Sequence, residues 1–485
     1  MLRGRPNTAA SALPTRSRDV GPGQQAPARS PQGDKVEALR VVALAYHFAP
    51  AQDSASIRNT KILRHLPRFL VHLDLITVRT RYLSKQNRGL LDQVPADVNV
   101  VRTRCVYPQD WLIKLKSLVA PAVRVSAQDA APINRSGRRR KHPWQMFKDL
   151  VSYALMVPDK YVGWYPFALW AGYRQMRKNK SDIIYAVGQP WTSFFVGYTL
   201  KLLSGKPLVI DFMDPWASRS REWDHDKPEA LGRIAARLES FIVRRADFIV
   251  ANTEELADDF RRRLQLPPEK VGVVTCGFDP ADLQNLPAKH DGSVFVITHT
   301  GSCYGLRSPV NFLKAVKTLI DSGRVPPEGI RINFIGHLPV DEPQLGALLA
   351  DPVLKPVVNI ESWVPHATAL EYLSRSDVLL LLQPGLQLVV PAKLYEYAAI
   401  GRPILALAEL EGAVARVVSQ ANLGVTVHNE NLQEIAREVE RLFVQFRHGR
   451  LRPAYTPSDV AEYSVENLAA TLSGILHQVG RHARQ

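Results

Sequence analysis

The chain has 485 residues, enough for two or three domains at roughly 100–200 residues each, so a small single module is excluded. Hydrophobic residues at 46% and charged residues at 22% are ordinary globular values, which excludes disorder along the whole chain. Lys+Arg of 62 against Asp+Glu of 46 leaves +16 and favours anionic partners: phosphates, nucleic acid or an acidic membrane face.

Residues 1–36 read as a disordered basic tail. Arg3, Arg5, Arg16, Arg18 and Arg29 outnumber Asp19 and Asp34 as in a transit peptide. Pro6, Pro14 and Pro22, however, interrupt the amphipathic helix such a signal needs, and no apolar core marks a secretory signal. From Leu39 the pattern turns into strand, loop and helix. A continuous apolar run at 39–46 precedes a loop at 47–56 and helical spacing at 57–69, which is how a doubly wound sheet begins. Further buried-strand runs follow at 73–78, 183–187, 208–212, 248–251 and 271–275, with helices predicted at 193–203 and 229–245. These place one α/β domain at 37–285.

An interruption falls inside it, a basic and aromatic insertion at 126–176. Arg135, Arg138, Arg139, Arg140 and Lys141 crowd a segment with Ser, Pro and Gly, and residues 144–173 are dense in Trp, Tyr, Phe, Leu and Met. Two readings stand side by side: a solvated loop followed by core helices, or an element docking on anionic membrane. No apolar run reaches the roughly 18 residues a spanning helix needs, so the expected location is cytoplasmic, with any membrane contact peripheral on the inner face.

A polar linker at 280–292 leads to a second alternation. Strands are predicted at 294–300, 332–335, 359–362, 378–382, 403–407 and 424–427, and helices at 310–322, 367–374, 391–400 and 432–446. A second α/β domain therefore spans 292–460. Residues 461–485 carry one more helix, at 465–479, after the second domain is complete, placed to pack back across the cleft. Cys105, Cys276 and Cys303 are far apart and odd in number, so neither a disulfide framework nor a zinc site is expected.

Ligands of doubly wound sheets bind where strand ends meet helix N-termini, whose free N–H groups favour anions. The strongest such loop is Pro384-Gly385-Leu386-Gln387-Leu388-Val389-Val390-Pro391-Ala392-Lys393-Leu394-Tyr395-Glu396. Pro391 suits a first helical turn, amides around Val390 and Lys393 would face an anion, and Glu396 lies one turn beyond Lys393. An exposed Lys–Glu pair on a helix surface accounts for that spacing equally well. Gly301-Ser302-Cys303-Tyr304-Gly305-Leu306-Arg307-Ser308-Pro309 is a second such loop, with Arg307 placed to meet phosphate, and the loop from His47 to Ser56, containing Asp53, is a third.

Together with Asp211-Phe212-Met213-Asp214-Pro215-Trp216, Ser376-Asp377-Val378-Leu379-Leu380 and Gly401-Arg402-Pro403, these loops resemble family 4 glycosyltransferases of the B-fold, from about Leu39 to about Leu476. The resemblance implies two tandem Rossmann-like α/β domains facing a cleft. It also implies sugar transfer from a nucleoside diphosphate donor, held mainly by the second domain, to a glycan or lipid-linked acceptor held by the first. Glu396 matches the ribose-binding glutamate, and Arg307 and Lys393 are candidates for the diphosphate. Gly301, Val364 in the loop beside the base, Leu388, Val389 and Val390 complete the donor-binding set. Leu388 stands where relatives with a Glu-x7-Glu motif carry a glutamate, and the glycine pair common in the first-domain loop is replaced around Ser54-Ala55-Ser56. The implied reaction retains anomeric configuration and uses no metal and no cofactor besides the nucleotide-sugar co-substrate. Asp53 and Asp214 are candidates for orienting the acceptor, structural hydrogen bonding being the competing role for each. Two other functions compete: a non-catalytic B-fold protein binding glycan or nucleotide in envelope polysaccharide assembly, which Leu388 favours, and a nucleotide-sugar epimerase. Nucleic acid is not expected as a partner, because the basic run lacks a recognition module.

Overall fold

A computed structural model describes residues 38–83, 86–107, 157–218, 229–287 and 292–483. The tail and residues 135–141 of the basic run lie outside the described residues. The first sheet has seven parallel strands, β1 (Leu39–Leu44), β2 (Val71–Val78), β3 (Asn99–Thr103), β4 (Ile183–Gly188), β5 (Leu208–Phe212), β6 (Phe248–Ala251) and β7 (Val271–Val273), in the order β3-β2-β1-β4-β5-β6-β7. Every residue of β4 and β5 is buried, as a parallel sheet covered on both faces requires. Its helices are α1 (Ser54–Leu63), α2 (Arg88–Asp92), α3 (Tyr165–Asn179), α4 (Thr192–Ser204), α5 (Glu229–Arg245) and α6 (Glu254–Leu264).

The second sheet has six parallel strands in the order β10-β9-β8-β11-β12-β13. They are β8 (Phe295–Thr300), β9 (Ile330–Ile335), β10 (Val358–Glu361), β11 (Val378–Gln383), β12 (Ile404–Ala408) and β13 (Gly424–Val427). Around it lie α7 (Val310–Asp321), α8 (Pro343–Ala350), α9 (His366–Ser374), α10 (Ala392–Ile400), α11 (Ala413–Gln420) and α12 (Leu432–Arg447). Both sheets reverse strand order beside their first strand, β1 or β8, and that switch point opens a crevice at the carboxyl ends.

The final helix, α13 (Val465–His482), leaves the second sheet and packs on the first. Its Leu468, Ala469, Leu472, Leu476 and Val479 share a core with Leu39, Val41, Leu73 and Ile183. At about 1.5–3 kcal/mol per fully buried aliphatic side chain, this strap contributes on the order of 10 kcal/mol to holding the two halves as one unit, an upper estimate. The linker is tied down as well: Arg64, just past the end of α1, reaches Asp279 at 2.5 Å, and Lys61 on α1 pairs with Asp282.

Three of the expected segments take another form in the structure. The helix predicted at 57–69 starts at Ser54 and ends at Leu63, because the Asp53 carboxylate caps it by accepting from the Ser56 amide. Pro67 then lies in a separate 3-10 turn, Leu66–Phe69. Residues 165–176, assigned to an insertion, are the first turns of α3, a regular crossover helix whose Ala168, Ala171 and Met176 join the first core. Within the polar linker, Pro280–Leu283 forms a 3-10 turn with Asp279 as its cap.

Candidate functional site

The loop from β8 to α7 closes against α10 through glycine. Gly301 has φ of 103°, and a Cβ there would stand 2.6 Å from Lys393 Nζ. Gly336, at φ 134° after β9, leaves no room for a side chain either, since a Cβ would meet the Gly301 carbonyl oxygen at 2.5 Å. Backbone thus blocks a side chain at Gly336, while at Gly301 the positive φ is what disfavours any other residue.

Lys393 reaches into it from the first turn of α10 and donates to the Thr300 carbonyl at 2.7 Å. An ammonium has three N–H donors, and that carbonyl takes one. Burial pushes the Lys393 pKa down to about 8, with Arg307 adding repulsion and Glu396 opposing it. A desolvated cation at a helix N-terminus gains much from an incoming anion. No side chain caps α10, whose N-cap is Pro391. Arg307 stacks over the Tyr304 ring at 4.9 Å and bonds its hydroxyl.

Glu396, one turn further on, is held by His366 from the start of α9, with Nε2 3.0 Å from Oε1. Burial would raise the carboxyl, but the hydrogen bond and charge of His366, with Lys61 and Lys393 nearby, bring it below the usual range. His366 rises correspondingly, mainly through that hydrogen bond. Lys393, Glu396, Gly301 and the 363–366 loop thus converge at one end of the second sheet. Val389 and Val390 are buried, so their side chains serve the core and only their backbone is open to a ligand role. Val364 is partly exposed in its loop.

From the first half, Asp214 sits in the turn after β5. Burial lifts its pKa to about 6 even though Arg307 and Arg58 pull it down. That electrostatic contact brings Asp214 and Arg307 to the same crevice from opposite sheets. Beneath lies a buried network: Arg58 donates to Asp211 at 2.9 Å and to the Val274 carbonyl at 2.7 Å, and the Tyr185 hydroxyl donates to Asp211. Asp53 is elsewhere. It lies in the loop after β1, two strands from β5 in the sheet order. Its carboxylate caps α1 and faces His47 Nδ1 at 3.1 Å. Burial opposes ionisation, but His47 and Ser56 outweigh it and lower the Asp53 pKa.

Leu388 takes part in the contact between halves. Its side chain packs on the first core, and its carbonyl accepts from Thr253 Oγ1 at 2.7 Å. Nearby, Glu255 and Arg416 form a two-pronged pair across the same junction.

Residues 55–277 match the model of the glycosyl transferase 4-like domain. The resemblance to family 4 glycosyltransferases holds. A D-inositol 3-phosphate glycosyltransferase of Streptomyces scabiei (strain 87.22) is 32% identical over 161 residues, 31% of this chain and 34% of that protein. The chain spans about a third to under two thirds of the length of the curated relatives it matches. Among solved structures, a sucrose-phosphate synthase from Thermosynechococcus elongatus superposes with a TM-score of 0.60 at 14% identity, covering 92% of this chain and all of that one. Anabaena HepE in complex with UDP and glucose gives 0.56 at 14% identity, covering 91% of this chain and all of that one. The architecture is the glycosyltransferase B-fold.

Within this B-fold, sequence reasoning missed the partner of Glu396. His366 stood in a quoted motif, Trp363-Val364-Pro365-His366, but only the tertiary contact between α9 and α10 shows what it touches. Lys61 was hidden for a different reason: nothing on an amphipathic helix marks which lysine approaches another domain. Among the described residues no cluster of three or more His, Cys, Asp or Glu is placed to hold a metal ion.

Proposed function

We propose that the protein transfers a sugar from a nucleoside diphosphate donor to a glycan or lipid-linked acceptor, with retention at the anomeric carbon and no metal ion or other cofactor. The observation that carries this is the pairing of a desolvated Lys393 with an ionised Glu396 on one turn of α10, against a crevice emptied of side chains by Gly301 and Gly336. Lys393 and the α10 amides would take the diphosphate, Arg307 would add charge from the facing loop, and Glu396 would accept from the ribose diol. As the bond to the anomeric carbon breaks, negative charge grows on the departing diphosphate, and preorganised cations in a dry cleft stabilise it. Asp214, half protonated near pH 6, stands on the acceptor side and would orient the incoming hydroxyl.

The HepE neighbour was solved with UDP and glucose, and the curated relatives are named for D-inositol 3-phosphate, so UDP-glucose and an inositol phosphate are the first donor and acceptor to try. Calorimetry with UDP-, GDP-, ADP- and dTDP-sugars tests the donor. Saturable binding of one of them is expected, and none at all would overturn the reading. NMR of the product's anomeric proton then reports retention. Leu388 favours a second reading, a B-fold protein that binds without turnover, and donor binding with no transfer to any acceptor would establish it.

Peripheral docking on an anionic membrane belongs to the same proposal. No described helix is long and apolar enough to cross a membrane. The described surface offers α3 and α4, packed side by side through Gly172 and Leu200, with Trp170 at 64%, Leu202 at 65% and Leu203 at 57% exposed. Arg174, Arg177, Lys178, Lys180 and Lys206 flank them, and Asp182 is the single acid between residues 165 and 206. Exposed Trp and Leu ringed by Lys and Arg suit an interface with acidic headgroups.

A further inference from the structure

Glu239 is a carboxylate on the core-facing stripe of α5. Its companions at helical spacing, Ile242, Val243 and Ala246, are buried and apolar, and Glu239 itself has no exposed surface. A buried charge is costly, and an apolar residue of similar volume commonly serves stability as well or better. Its partners account for its presence. Oε2 accepts from the Ala217 amide at 2.6 Å, and Oε1 is bonded by Arg263 of α6.

Ala217 belongs to the turn after β5 that carries Asp214. We infer that Glu239 is a positioning residue: with Asn252 and Asp259 it fixes this turn from behind, so that the Asp214 carboxylate keeps its place at the crevice for an incoming hydroxyl. The identity of that hydroxyl as the acceptor rests on the glycosyl-transfer reading; the fixing of the turn does not.

The turn is held on both sides of Asp214. Before it, Asn252 donates to the Met213 carbonyl at 2.8 Å and is itself set by the Cys276 amide, 3.0 Å from its Oδ1. After it, the Trp216 ring stacks on Trp191 with centroids 5.0 Å apart and planes within 8°. Glu239 takes the Ala217 amide, and Ser218 donates to Asp259 at 2.7 Å. Arg263 joins the two carboxylates, reaching Asp259 at 2.9 and 3.0 Å.

Asp214, between these holds, makes no hydrogen bond among the described residues. The groups that bear on it are Arg307 from the loop after β8, Arg58 from α1 and the Cys276 thiol after β7. Burial outweighs both arginines and lifts its pKa to about 6. A carboxylate without hydrogen bonds stays raised only while its turn keeps water away. In a loosened turn hydration favours the ionised form, and the pKa falls toward the ordinary carboxylate value. Titration of Asp214 therefore reports whether the turn is fixed, separately from whether the protein is stable.

Carbon NMR of the full chain, isotope-labelled at the aspartate carboxyl carbons, reads that titration, with the signal assigned by its loss in Asp214→Asn. Wild type should titrate near pH 6. Glu239→Met fills the space but accepts no hydrogen bond, and should lower the midpoint by about one pH unit or more. Glu239→Gln removes the same charge yet keeps an acceptor for the Ala217 amide, so its midpoint should stay near that of wild type. Turnover should fall about ten- to a hundredfold in Glu239→Met, and Glu239→Gln should keep at least half the wild-type rate. Affinity for the nucleotide-sugar should be alike in all three, because Lys393 and Glu396 stand on the other sheet's helix. Thermal melting shows which variants fold. If Glu239→Met does not, Glu239→Asp, one methylene too short to reach the Ala217 amide, carries the same expectation. A midpoint equal in wild type and in whichever of these two variants folds, or lowered as much by Glu239→Gln, overturns the positioning role. A lowered midpoint in a protein that binds no nucleotide-sugar keeps that role and removes the transferase reading instead.

Discussion

Lys393 gives the sharpest quantitative expectation, because its pKa near 8 lies inside the range where an assay can be run. Only the ammonium form can pair with a diphosphate. At pH 7 about nine-tenths of the free protein carries it, and at pH 9 about one-tenth does, so affinity for UDP-glucose should fall about tenfold between those values. A sugar diphosphate diester has no phosphate that titrates there. Lys393→Ala should weaken binding at pH 7 by about 1.5–3 kcal/mol, the range of a charge-assisted hydrogen bond, or roughly ten- to 150-fold. Its affinity should then be flat with pH, which separates the lysine from titration of the base. Lys393→Met carries a second signature. A lysine whose folded pKa lies below its unfolded one disfavours folding while charged, so its removal should raise the Tm of the free protein and shrink the Tm gain on adding nucleotide. Calorimetry at pH 7, 8 and 9 on wild type and Lys393→Ala decides the matter: equal pH slopes in the two proteins would refute the role given to Lys393.

Other expectations are as direct. Glu396→Ala should lose about 1.5–3 kcal/mol of nucleotide affinity, with a smaller loss for the 2′-deoxy nucleotide, both read by calorimetry. His366→Ala removes the main influence holding the Glu396 carboxyl down; its pKa rises, the carboxylate is lost at higher pH as pH falls, and nucleotide affinity should fade between pH 7 and 5 sooner than in wild type. Leu388→Glu sets a carboxylate against the first core at a cost of about 1–3 kcal/mol, so thermal shift should show a lower Tm and no gain in donor affinity. In liposome flotation the protein should bind vesicles with anionic lipid at low salt and release at high salt, and Trp170→Ala with Leu202→Ala should weaken the binding; flotation equal on neutral vesicles would count against an electrostatic interface.

Strands were legible where burial on both faces leaves an uninterrupted apolar run. β4, β5 and β11 are fully buried, and each was readable to within a residue or so. β3 was not. As the edge strand of its sheet, Asn99–Thr103 is partly exposed and carries Asn99 and Arg102, so no run forms. α6 escaped for a related reason: its buried Leu256, Ala257, Phe260 and Leu264 sit among seven charged residues, and the capping Thr253 was the available signal. The aromatic density before Tyr173 had two readings because composition does not say which way a ring faces. In the structure Trp164 is buried against Tyr46 while Trp170, six residues on, is 64% exposed.

Leu388 stands at a motif position whose contacts in the structure differ from those the motif implies. As a donor-site residue it is defined by a missing carboxylate. The structure gives that position other contacts: an apolar side chain against the first core, and a carbonyl accepting from Thr253, which also caps α6 by accepting from the Leu256 amide. A glutamate there would have to leave water at the junction or turn away and give up the packing, and either course loosens the two halves where Glu255 and Arg416 also join them. Under the proposed function, Leu388 gives up a polar contact to the donor sugar for a tighter junction. Under that reading a sugar would need other partners; buried His299, its pKa pushed well down by burial and by Lys393, is a neutral group able to hydrogen-bond. If that exchange is the reason for Leu388, the double change Leu388→Glu with Thr253→Val should cost less than the sum of the two single changes, because both single changes damage the same junction.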